Sequence, residues 1–202
     1  MNITKNYTKI IQDYLKSSNG TITSEYCKKN HIPFVYLHRL TKSGYLERIS
    51  RGVYTNKDGA PDSYYKFQHK YSKAIFSGIS ALFILGVTDE IPTIDEVTVY
   101  RGYKFNKKPE NTIIKYVSKD YYDMGIIETR TMFNNIVKIY CYEKIVCDLL
   151  LRRDEIDSEI FVKAIKSYLK YPKGNEYLLF KLASKLKILD KVKEVVELAY
   201  EK

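Results

Sequence analysis

The chain has 202 residues, 45% of them hydrophobic and 29% charged, with a net charge of +10. That is enough for two modest units with packed cores, and it excludes global disorder. The positive excess points to a polyanionic partner, nucleic acid or an anionic membrane surface, although enrichment in Lys, Ile, Asn and Tyr makes part of it ordinary solvated surface.

Cys27, Cys141 and Cys147 are odd in number, form no C-x-x-C pair and have no histidine at zinc-ligand spacing. They read as buried, reduced thiols, with no metal site and no cofactor implied. The opening "MNITKNYTKI" lacks the basic-then-apolar order of a secretory signal. The longest apolar run, 74–87, falls short of the roughly 20 residues a bilayer span requires. A cytoplasmic protein with no membrane association is the expectation.

In chain order, residues 3–18 place Tyr7, Ile10, Ile11, Tyr14 and Leu15 at steps of three and four, the apolar face of an amphipathic helix ended by Asn19 and Gly20. Thr23 is the expected N-cap of a second helix of about two turns, with Ile22 stapled onto Cys27. After a turn at Asn30–Ile32, Pro33 is expected at the first position of a third helix. Its inner face would be Pro33, Leu37 and Leu40, and Gly44 would stop it. "YLERI" and "GVYT" then read as two strands joined by Ser50, Arg51 and Gly52.

The stretch "TNKDGAPDS" gathers turn formers and reads as a linker. This divides the chain into an N-terminal unit, 1–58, and a C-terminal domain, 64–202. The second begins with helices near 64–71 and at "SGISALFILG", the latter capped by Ser77. It continues with strands at "EVTVY", "NTIIKYV", "IIETRTM" and "VKIYCY", and closes on four helical segments after Tyr142. The expected fold class is therefore α+β, a winged helix-turn-helix followed by a mixed α/β domain with a helical tail.

Two short helices joined by a tight turn, the second followed by a hairpin, suit a helix that enters the major groove of DNA. With Leu37 and Leu40 inward, the opposite face carries Phe34, Val35, His38, Arg39 and Lys42. Cations beside apolar groups suit base edges, because arginine pairs with guanine and apolar groups pack on thymine methyls. The hairpin adds Arg48 and Arg51, the latter at the tip, with Lys28 and Lys29 extending the contact. Tyr36, at the edge of the buried face, is expected to be mostly core. Residues 1–60 hold ten Lys and Arg against four acids, and the remainder 24 against 20, so most of the excess charge lies in the segment that would touch phosphates. Winged helices also serve as protein-interaction modules, and that reading stands as the alternative.

With "LHRLTKSGYLERISRGVY", the linker, "FSGISALFILG" and "YEKIVCDLL" in this order, the chain resembles the AbiEi family of antitoxins from type IV toxin-antitoxin, or abortive-infection, systems. The resemblance implies a bacterial autorepressor whose winged helix binds inverted repeats of double-stranded DNA in its own promoter. It further implies a C-terminal domain that counters a nucleotidyltransferase-like toxin in phage defence, without necessarily holding it in a stable complex. DNA contact is carried over to Phe34, Val35, His38, Arg39, Lys42, Arg48 and Arg51.

Enzyme readings find weaker support. Gly78, Ile79 and Ser80, followed by Asp89, Glu90, Asp95 and Glu96, lack the adjacent Gly-Ser and Asp-x-Asp that a nucleotidyltransferase uses to hold triphosphate and paired Mg²⁺. Asp154, Glu155, Asp157 and Glu159 read as capping residues between helices. Asp148 is expected to pair with Lys144 one turn earlier, or with a buried arginine. With histidines only at 31, 38 and 69, no Ser-His-Asp or Cys-His arrangement can be argued, and no catalytic residue is expected.

Overall fold

A computed structural model describes residues 6–18, 20–56, 62–155 and 158–200. The chain divides into two compact units, one comprising residues 1–72 with 130–137, the other residues 73–129 with 138–202. Residues 57–61, the centre of the expected linker and the site of the expected boundary at 58, lie outside the described residues, as do Asn19 and the first five positions.

In the first unit, α1 (Tyr7–Ser17) starts at Asn6, whose side chain accepts from the Lys9 amide. Its buried residues are Ile11 and Leu15, whereas Ile10 is exposed, contrary to the five-residue apolar face expected. At 100° per residue, neighbours 10 and 11 cannot both reach the centre of one face. A strand of three residues, β1 (Thr21–Thr23), follows; its length hides it from any period-2 pattern.

Thr23 then caps α2 (Ser24–Lys29) by accepting from the Tyr26 amide at 3.1 Å, and Ile22 and Cys27 are both fully buried in one core. The tight turn closes when the His31 and Ile32 amides reach the carbonyls of Lys28 and Cys27, with His31 in the left-handed region.

The third helix, α3 (Val35–Lys42), begins two residues later than expected. Pro33 is exposed and only its carbonyl takes part, accepting from the Tyr36 amide, so the inner face is Leu37 and Leu40 alone. Gly44, left-handed, ends α3 with paired bonds from Gly44 to Thr41 and from Tyr45 to Leu40. Strands β2 (Leu46–Ser50) and β3 (Val53–Asn56) then form an antiparallel hairpin, and β1 joins the free side of β3 to give the order β1-β3-β2.

Ile11, Leu15, Ile22, Cys27, Ile32, Leu37, Leu40 and Leu46 fill the core that these elements share, which is the arrangement of a winged helix-turn-helix. Helix α4 (Ser63–Lys70), capped by Asp62, completes the unit. Asp62 is 1% exposed and also accepts from Thr131 Oγ1 at 2.5 Å and Asn135 Nδ2 at 3.0 Å, so residues 130–137 are tied into the first unit by a buried carboxylate.

The second unit is built on a five-stranded sheet in the order β6-β5-β4-β8-β7. Its centre is β4 (Ile75–Phe76), two fully buried residues too short to announce themselves in sequence. Ser77 heads α5 (Gly78–Ile84) without a side-chain cap, contrary to expectation, because its hydroxyl instead receives a hydrogen bond from Thr98. β5 (Asp95–Tyr100) pairs antiparallel with β4 and parallel with β6 (Thr112–Val117). A short helix, α6 (Lys119–Tyr122), leads to β7 (Ile126–Arg130) and β8 (Ile136–Tyr140), and β8 runs parallel to β4.

Helix α7 (Tyr142–Leu151) is buried almost all round, including Glu143 and Lys144. A 3₁₀ turn (Arg153–Glu155) and α8 (Ser158–Leu169), α9 (Glu176–Lys185) and α10 (Leu189–Tyr200) follow, giving the expected helical tail. The fold class is α+β.

Each buried charge in α7 has partners. Glu143 accepts from the amide of Asn175, itself the N-cap of α9. Lys144, fully buried, pairs with Asp148 as expected from their one-turn spacing, and its ammonium lies 3.6 Å from the Tyr121 ring centroid and 4.9 Å from that of Tyr140. Burial holds Lys144 below the usual ammonium value while Asp148 opposes that shift.

Candidate nucleic-acid interface

The first unit presents one continuous set of cationic and apolar side chains. On α3, Val35, His38, Arg39 and Lys42 follow the i, i+3, i+4, i+7 spacing of one helix face, and all are exposed, as is Phe34 just before the helix. Phe34 is 54% and Val35 46% exposed, although Leu37 on the opposite side is 1% exposed. Two large apolar groups thus stand in water among cations, on a helix with no carboxylate of its own.

Arg39 has a preferred direction. Its guanidinium carbon lies 5.5 Å from the ring centroid of Tyr36, and Tyr36 in turn packs tilted against Tyr7 at 5.1 Å. Tyr36 is half-buried and packs against the core from its edge, and its ring also meets the guanidinium. Such a contact is worth about 0.5–1 kcal/mol at an exposed site, enough to bias the rotamers of a long side chain.

The hairpin holds its arginines by backbone geometry. A bulge between Arg48 and Ser50 breaks the β2–β3 register, and Arg48 Nε donates to the Ser50 carbonyl at 3.3 Å. Arg51 sits at the turn, exposed, followed by Gly52 in the left-handed region at φ 78°. The Gly52 carbonyl accepts from the Ser24 amide at 2.8 Å, which seats the turn on the first residue of α2. His69 on α4 lies with Nε2 3.2 Å from the Arg51 carbonyl.

Gly52, His69 and Tyr36 are therefore supporting residues, a role the sequence reading did not give them. Gly52 was legible as a turn former, but the His69 contact joins positions 18 residues apart and leaves no local signal. Among the described residues no ion pair involves Arg39, Lys42, Arg48 or Arg51. Lys28 and Lys29 are exposed in the last turn of α2.

Gly78, Ser80, Asp95 and Glu96 meet one another where α5 packs on β5. A Cβ on Gly78 would fall 2.2 Å from Glu96 Oε2, and that carboxylate meets Lys115 at 2.5 Å. Ser80 Oγ is taken up by Asp95 Oδ1 and by the Glu96 amide, so the glycine and serine dock α5 against β5. Burial raises the Asp95 carboxyl, opposed by the Ser80 hydrogen bond.

Among the described residues no three His, Cys, Asp or Glu side chains group to hold a metal. Asp154 and Glu155 lie in the 3₁₀ turn, whereas Asp157 is outside the described residues. The three thiols are buried, which pushes Cys27 up to about 11 and Cys141 and Cys147 up to about 12, far from reactive thiolates. No helix among the described residues is long and apolar enough to cross a membrane.

The first unit thus has the arrangement of a winged helix-turn-helix protein. Residues 9–57 match the family model described as "Transcriptional regulator, AbiEi antitoxin". The family is one of regulators and antitoxins and not a known enzyme family. No curated protein matches the sequence. A solved structure, the RV2827C protein from Mycobacterium tuberculosis, is similar at 12% identity with a TM-score of 0.48, over 89% of this chain and 72% of that one.

Proposed function

We propose that this protein represses transcription of its own operon by binding inverted repeats of double-stranded DNA through its winged helix, and that its C-terminal domain counters a nucleotidyltransferase-like toxin. On this reading it is a cytoplasmic, non-catalytic component of a type IV, abortive-infection system for phage defence. The observation that carries the DNA-binding part is the exposed stripe of Phe34, Val35, His38, Arg39 and Lys42 beside the Arg48–Arg51 hairpin, cationic and without an acidic partner.

In this arrangement α3 lies in the major groove, with Arg39 on a guanine edge and Phe34 and Val35 against thymine methyls. Arg51 reaches a phosphate or the adjacent minor groove. A C2-related pair of copies would meet the two half-sites about 34–36 Å apart.

The test is fluorescence anisotropy of the full chain with a labelled duplex from upstream of its own gene, against a shuffled duplex, at several salt concentrations. Tight binding to the native duplex alone, weakening steeply with salt, is expected. Equal weak binding to both, or none, would overturn the reading and leave the winged helix as a protein-contact module.

A further inference from the structure

Helix α9 buries Leu179, Leu182 and Ala183 on one side. Its other side carries a second apolar strip, exposed at Tyr177 and half-buried at Phe180. Tyr177, 76% exposed, and half-buried Phe180 join Leu189 at the start of α10 to floor a groove of about 510 Å³. Lys181, Lys185 and Lys193 rim it and are all exposed, and among the described residues none is in an ion pair. Lys181 and Lys185 are one helical turn apart, about 5–6 Å between Cβ atoms.

We propose that this groove docks an acidic amphipathic segment of a partner protein. Apolar side chains of the segment rest on Tyr177, Phe180 and Leu189, and carboxylates spaced one helical turn apart meet Lys181 and Lys185, with Lys193 closing the far wall. The charge pattern selects an acidic occupant, and the floor selects a peptide over a nucleic acid. A nucleic-acid strand needs a run of open ring faces for successive bases to stack on, whereas here only Tyr177 among the lining residues is an exposed ring, Phe180 being half-buried and Leu189 aliphatic. The inference does not depend on DNA binding by the first unit, which lies on other residues.

The experiment uses the full chain and a fluorescein-labelled, helix-forming peptide of repeating Glu-Leu-Leu-Glu units, followed by anisotropy. Saturable binding is expected, reduced tenfold or more in a Lys181→Glu/Lys185→Glu variant and about threefold or more in Tyr177→Ser. Replacing the peptide's leucines by serine should also cost tenfold or more. An Arg39→Glu/Arg51→Glu variant should bind the peptide as the parent does.

As a check on folding, the Lys181→Glu/Lys185→Glu protein should gain affinity for the matching Lys-Leu-Leu-Lys peptide. Absence of saturable binding, equal binding by the parent and the Lys181→Glu/Lys185→Glu variant, or loss of peptide binding in Arg39→Glu/Arg51→Glu would overturn the proposal. So would displacement of the peptide by oligothymidine in the Arg39→Glu/Arg51→Glu background, which would assign the groove to nucleic acid.

Discussion

Replacing Gly52 by alanine tests how the hairpin is held. At φ 78° a side chain costs about 1–2 kcal/mol in the left-handed region. The new Cβ would also lie 2.6 Å from Ser24 Oγ. Ser24 is the first residue of α2, beyond the Thr23 cap, so its hydroxyl can rotate away and the contact adds about 1 kcal/mol. The expected loss is thus about 2–3 kcal/mol, a large share of the stability of a small unit. Urea unfolding of the full chain, followed by far-ultraviolet circular dichroism, measures it through the midpoint and slope. In a Ser24→Ala background the nearest retained neighbour on that residue, Cβ, is 3.8 Å away, so the steric part should be recovered while the backbone part stays. A Gly52→Ala loss below about 0.5 kcal/mol, or no difference between the two backgrounds, would refute the account.

Asp148→Ala should destabilise the second unit by about 3–5 kcal/mol by stranding the buried Lys144 ammonium, whereas Lys144→Met/Asp148→Leu should recover most of the loss; parallel urea curves decide. Burial raises Tyr14, Tyr122 and Tyr142 to about 12, so these phenols hold their protons in the folded state where unfolded ones ionise near 10. The stability they contribute is complete below pH 10 and is lost as pH rises towards 12 and beyond. Absorbance at 295 nm should show tyrosinate appearing later in native than in urea-unfolded protein, and superimposable titrations would contradict it. Tyr36→Leu should weaken binding to the promoter duplex by about 0.5–1 kcal/mol through loss of the guanidinium contact, and should also lower the urea midpoint slightly because the ring packs on Tyr7; unaltered affinity would separate Tyr36 from Arg39. Asp62→Ala removes a helix cap and the acceptor for Thr131 and Asn135 together, and about 2–4 kcal/mol should appear in the urea midpoint, against none if solvent replaces those bonds.

What the sequence made legible was local. The Thr23 cap, the Ile22–Cys27 pair, the Gly44 stop and the Lys144–Asp148 pair all lie within a few residues, where spacing and turn chemistry speak directly. β1 and β4 did not show, because strands of three and two residues carry no alternation. Ser77 resembled a cap because its type and position fitted, but Thr98, 21 residues on, claimed its hydroxyl. The exposure of Phe34, Val35, His38, Arg39 and Lys42 follows from helical geometry once Leu37 is placed inside. Their supports on Tyr36, Gly52 and His69 belong to tertiary structure, and so does the membership of residues 130–137 in the first unit, fixed by Asp62 across 69 and 73 positions.

That last feature sets an order of events during synthesis. The winged helix precedes Thr131 and Asn135 in the chain, so these two partners of Asp62 are not made until translation reaches Asn135. At about 5–20 residues per second, several seconds separate the hairpin's emergence from the arrival of those partners. Until then Asp62 lacks the Thr131 and Asn135 donors, and the N-terminal segment exists without its closing clasp. A fragment cut after residue 72 would lack Thr131 and Asn135 permanently, leaving Asp62 with the Tyr65 amide alone among these donors.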